Sequence, residues 1–123
     1  MKAHVFVGLI IGCLSVTAIA VEWAFEYRPA EAKYTFYSGT LDDAAAPDKK
    51  NVKIAFEVTG KAAKEMFDAM GPDKKDACSS EDQTRFRSRD GDKISCLLSN
   101  KGEYSCSFGF DLRSGKSIGG SIC

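Results

Sequence analysis

From Ile94 to Leu112 the chain alternates between apolar and polar positions. Ile94, Cys96 and Leu98 fall on one side with Ser95, Leu97 and Ser99 on the other; Tyr104, Cys106, Phe108, Phe110 and Leu112 then alternate with Ser105, Ser107, Gly109 and Asp111. A two-residue period is that of strands with one buried face. Asn100-Lys101-Gly102 between them suits a three-residue hairpin loop whose last position takes a positive φ, which sets Cys96 opposite Cys106. Arg113-Ser114-Gly115 repeats that loop chemistry and predicts Ile118 against Phe110 and Ile122 against Cys106. A two-residue Ser114-Gly115 turn is the other solution; it places Cys123 against Cys106 and turns Ile118 and Ile122 outward, because a slip of one residue flips a strand.

The same period recurs upstream. Tyr34 and Phe36 alternate with Thr35 and Tyr37, predicting a strand over 33–38, and Val52, Ile54, Phe56 and Val58 predict a second over 52–58. Leu41 to Asn51, with Pro47, reads as an exposed connection, and Trp23, Phe25 and Tyr27 before Pro29 read as a short strand or the flank of an export signal. After Val58 the period changes to that of a helix. Ala62, Ala63, Met66, Phe67 and Met70 recur at helical spacing, Thr59 or Gly60 caps the start, and Gly71-Pro72 stops it, so a helix is expected over Lys61 to Met70 with its apolar stripe on the sheet. A polar loop, Asp73 to Asp82, carries Cys78; Gln83 to Arg89 alternates again, and Asp90-Gly91 turns the chain into the strand beginning at Lys93. The expected fold is α+β: one mainly antiparallel sheet of five to six strands, ending in a meander, with one helix on one face and disulfide staples.

Composition changes this picture at the N-terminus. Lys2, the apolar run Val5 to Val16 and the small-x-small site Ala18-Ile19-Ala20 have the three parts of a secretory signal peptide, so residues 1–20 are expected to be removed and residues 21–123 to form the exported domain, periplasmic or secreted. An uncleaved anchor over Ala3 to Ala24 is the alternative, and Ile10-Ile11-Gly12-Cys13 has some likeness to a lipidation site. Loss of Lys2 leaves 16 basic and 17 acidic side chains, and loss of His4 leaves no histidine. Near-neutral charge speaks against nucleic acid or an anionic membrane as a general partner, and the lack of histidine removes His-dependent nucleophile activation and His-ligated zinc.

Cys78, Cys96, Cys106 and Cys123 remain in the expected domain. An even number in an exported chain of this size reads as two disulfides, and gaps of 17, 9 and 16 residues lack the close pairing of zinc knuckles. Cross-strand bridging of directly opposed residues is geometrically demanding, and the Cys78 loop needs an anchor, so the expected pairs are Cys78 with Cys96 and Cys106 with Cys123.

Chemistry-bearing patterns are sparse. Arg85, Arg87 and Arg89 project from one strand face about 7 Å apart, a spacing set by the strand rise, and form the candidate binding row for an acidic protein partner; their other reading is the solvent face of the sheet, balanced by Asp90 and Asp92. The serines from Ser95 to Ser121 lack a base, and Ser114-Gly115-Lys116-Ser117 lacks the following helix of a phosphate loop. No catalytic residue, metal ligand or cofactor is assigned. The functional expectation is a non-catalytic exported binding protein, such as a hydrolase inhibitor or immunity-type factor; the alternatives are an envelope protein held by an N-terminal helix and a histidine-free hydrolase.

Overall fold

The computed structural model describes residues 12–15, 17–75 and 83–122. Among them the chain forms β1 (Glu31–Gly39), β2 (Ala44–Ala45), β3 (Lys53–Thr59), α1 (Gly60–Ala69), β4 (Arg85–Arg89), β5 (Ile94–Leu98), β6 (Tyr104–Asp111) and β7 (Ser117–Ile118). All pairings between these strands are antiparallel and make one sheet in the order β2-β1-β3-β6-β5-β4, with β7 also against β6. The α+β class, the single antiparallel sheet and the single helix agree with the sequence pattern.

β6 is the spine. It pairs along its length with β3, from Lys53 opposite Asp111 to Thr59 opposite Ser105, and so joins the N-terminal strands to the C-terminal hairpins. Its other edge is shared, with β5 taking Tyr104 to Phe108 and β7 taking Gly109 and Phe110. The C-terminal meander is thus interrupted, because β3 occupies the edge a fourth consecutive strand would need.

The β5–β6 hairpin forms as its turn chemistry dictates. Gly102 has φ +80°, Ser99 N–H donates to Glu103 O at 2.9 Å, and Cys96 stands opposite Cys106. The last hairpin adopts neither expected register. Gly109 faces Ile118 and Phe110 faces Ser117, because the Asp111 carboxylate accepts from the N–H groups of Arg113 and Ser114, which starts the turn earlier and makes it longer. Beyond β7 the tail crosses β6: a Cβ on Gly120 would lie 2.4 Å from the Phe108 backbone, so only glycine fits. That close approach, not a phosphate cradle, accounts for Gly120, while a Cβ on Gly119 would lie 3.3 Å from Asp92 O.

The expected disulfide pairing is overturned in both of its bonds. Cys96 is bonded to Cys106. Their Cα atoms are 4.0 Å apart, close to the roughly 4.5 Å of the near pairs in an antiparallel ladder, so the hairpin itself delivers the two sulfurs to each other. This excludes Cys78 with Cys96 and Cys106 with Cys123; Cys78 and Cys123 lie outside the described residues.

Helix α1 begins one residue before the expected Lys61 and ends one before Met70, with Thr59 as N-cap and Gly71 beyond its end at φ +81°. Ala63 and Phe67 are fully buried against Val58, Cys96 and Cys106. The Cys106 sulfur lies 3.4 Å from the Ala63 carbonyl oxygen, so the helix rests on the disulfide. Val21 to Ala30 forms no strand, and the connection after β1 contains the two-residue β2.

Candidate binding surface

Strand registers arrange the α1 side of the sheet in transverse rows. Val58, Cys106 and Cys96 form one row, covered by α1. Two residues along each strand come Tyr34, Phe56, Phe108 and Ile94, and two further come Phe36, Ile54 and Phe110. Rows succeed one another at about 6.7 Å, twice the strand rise. A ten-residue helix is about 15 Å long and crosses the sheet at one end, so in the second and third rows Phe108 still packs on the covered cluster and Ile54 is buried, while Tyr34, Phe36 and Phe110 stand open.

What remains open is an aromatic strip. Tyr34, Phe36 and Phe110 are 67%, 47% and 38% exposed, and Leu112 beyond them is also exposed. The rings touch in a continuous series: Tyr34 to Phe36 at 5.7 Å, Tyr34 to Phe56 at 6.3 Å, Phe56 to Phe108 at 5.3 Å and Phe108 to Phe110 at 6.2 Å. Most of these pairs are tilted or edge-on, which gives the strip a ridged relief suited to interdigitating side chains. Contiguous exposed apolar surface of this kind marks interaction sites on small soluble domains.

The arginine row is placed differently from its expected solvent position. Arg87 stands opposite Cys96, so Arg85, Arg87 and Arg89 share the α1 side of the sheet. Asp73, just after α1, accepts from Arg85 Nε at 2.8 Å and from Arg87 Nε at 2.8 Å. Arg87 also donates to Phe67 O at 2.8 Å and lies with its guanidinium 4.0 Å from the centre of the Phe67 ring, with only 15% of its side chain exposed. Hydrogen bonds from Arg85 and Arg87 hold the Asp73 carboxyl at about 2, well below the usual carboxylate range. Asp90 pairs with Lys93 and Asp92 takes the Ser88 hydroxyl, so neither balances the row. Arg85 and Arg87 act as a clamp between the sheet edge and the end of the helix, and Arg89 donates to Ser88 O at 2.6 Å.

A concavity of about 770 Å³ opens beside the start of α1 between Lys61, Lys64, Glu57 and Glu103. Its charges are mixed, and Lys64 is bound to Asp68 at 2.6 Å. On the far side of the sheet Phe86, Ser88 and Ser95 are buried, and Ser95 Oγ lies 3.3 Å from Ser121 Oγ in the returning tail. Ser88, by contrast, donates its hydroxyl to the Asp92 carboxylate.

Sequence reasoning placed Phe108 and Phe110 on a half-buried strand and Tyr34 and Phe36 on one side of another, and so missed them as a site. The signal was present in the lengths: a helix of ten residues is too short to cover strands of seven to nine. Family models, curated proteins and solved structures give no match to this chain.

Proposed function

We propose that this chain is a small exported binding protein without a catalytic role, and that its docking surface is the aromatic strip of β1, β3 and β6. The observation that carries this reading is the continuous run of contacting rings, Tyr34, Phe36, Phe56, Phe108 and Phe110, of which Tyr34, Phe36 and Phe110 stand exposed on a sheet face whose other half is sealed by α1. The partner is a protein with an apolar contact face; an inhibitor or immunity-type factor for a secreted hydrolase is the specific form. Arg85 and Arg87 hold Asp73, which favours the strip over the arginine row.

Export is part of the reading. The Cys96–Cys106 disulfide is consistent with an oxidising compartment, and among the described residues no helix is long and apolar enough to cross a membrane. Cleavage after Ala20 releases the domain.

The test is affinity capture from the native envelope or medium on the immobilised oxidised protein, beside a Tyr34→Ser, Phe36→Ser, Phe110→Ser variant. A partner held by the first and lost by the folded second supports the strip; equal retention by both removes it.

A further inference from the structure

The edges of the sheet are finished unequally. At the β4 edge, Lys74 N–H donates to Phe86 O at 2.7 Å and Lys74 bridges to Phe86. At the β1 edge, β2 pairs only Ser38 and Gly39, so among the described residues the outer edge of Glu31 to Tyr37 has no partner strand. An unpaired edge of seven residues is a template for strand addition.

The same chain carries a segment suited to it. Trp23, Phe25 and Tyr27 are 81%, 75% and 93% exposed. Their rings lie on one side of the arm, 6.3 Å apart for Trp23 and Phe25 and 5.5 Å for Phe25 and Tyr27, the repeat of Tyr34 to Phe36 at 5.7 Å. We propose that this arm, Glu22 to Tyr27, adds as an antiparallel strand to the free β1 edge of a second copy of the chain, so that two copies exchange arms and the aromatic strip of each is widened by the other.

One antiparallel register satisfies both sides of the strand. Trp23 opposite Phe36 and Phe25 opposite Tyr34 join the aromatic rows; on the reverse side the same register puts Glu26 opposite Lys33, an opposite-charge pair. Lys33 already faces Glu57 across β3 and forms no ion pair there.

The arm cannot make this pairing with its own β1. That register in one chain needs a two-residue turn at Pro29-Ala30, and the turns that close such hairpins require positive φ at the first central position, whereas proline is fixed near −65°. The root of the arm is also tied elsewhere: Arg28 makes a bidentate pair with Glu65 of α1, at 3.1 and 2.9 Å. A second copy meets neither obstacle.

This inference extends the proposed docking strip, and its test separates the two. Trp23 is the single tryptophan of the chain, so its emission reports the arm directly. The protein, purified from an export-competent host, is followed by Trp emission and sedimentation over a dilution series. Arm exchange gives a blue-shifted emission and a dimer at high concentration, both reverting together on dilution. Lys33→Glu lies on the face opposite the strip and weakens the dimer about three- to tenfold, as loss of an opposite-charge cross-strand pair in each half predicts, while partner capture by the strip remains. Adding Glu26→Lys to Lys33→Glu restores the dimer. A monomer with exposed-type emission throughout, a blue shift independent of concentration, or a dimer indifferent to both charge changes overturns the proposal. Capture retained by the strip variant removes the strip while a dimer that weakens with Lys33→Glu and recovers with Glu26→Lys still stands; capture lost by the strip variant beside a wild type that stays monomeric removes arm exchange alone.

Discussion

Two halves of one sheet face, made by the same strands with the same alternation, have opposite fates. Val58, Cys106 and Cys96 lie beneath α1, with Cys96 and Cys106 wholly buried. Two and four residues further along the same face, burial fades: Phe108 packs on the covered cluster and Ile54 is buried, but Tyr34 and Phe36 on β1 and Phe110 on β6 stand exposed. Alternation therefore tells which side chains share a face, but the length and position of the covering element decide which of them become core. The covered half holds the fold; the open half is the surface we propose for docking.

Truncation separates the halves most sharply. Phe67, 1% exposed at the centre of the covered half, is expected to cost about 3 to 5 kcal/mol as Phe67→Ala, read as a fall in the denaturant midpoint. The Tyr34→Ser, Phe36→Ser, Phe110→Ser variant changes three aromatic residues, all more exposed, yet is expected to lose less than Phe67→Ala alone. Equal losses would show that the strip is core after all.

Reduction probes the covered half from beneath. Cys96 and Cys106 close a short loop at a sequence separation of 10. Loop-closure entropy gives that bond about 2.5 to 3 kcal/mol of stability, so a melt with reductant should fall well below the oxidised one.

The clamp at the helix end gives smaller effects. Arg87→Ala removes charged hydrogen bonds to Asp73 and to the Phe67 carbonyl and should cost about 1 to 3 kcal/mol, whereas Arg85→Ala, at the exposed end of the row, should leave the midpoint nearly unchanged. The pH dependence is smaller still and has a fixed sign. Asp73 is held at about 2 against an ordinary 3.8, so its contribution is complete above about pH 4 and is lost as pH falls toward 2. Melts between pH 5 and 2 should show this loss in the wild type and not in Asp73→Asn.

Much of the fold was legible because it is local. Gly102 fixed one hairpin, the Ala63 and Phe67 stripe fixed the helix, and Gly71 marked its end. The pairing of β3 with β6 joins segments separated by about half the chain and leaves no turn signal to read. The last register depended on which backbone groups the Asp111 side chain would take, and composition does not state that. Cys96 and Cys106 were correctly set opposite each other, yet direct bonding was set aside as geometrically demanding; the close Cα approach of the hairpin supplied the geometry. The arginine row was visible as a row, but Asp73, its actual partner, comes from a segment placed beside it only by the helix.

The central claim, that the open half is the docking surface, is tested most directly by footprinting the captured complex with a radical probe that labels exposed aromatic side chains. Protection on partner binding should appear at Tyr34, Phe36 and Phe110 and leave Tyr104, at the opposite end of β6 beside α1, as in the free protein. Protection absent from the strip and present instead around Arg85 and Tyr104 would contradict it.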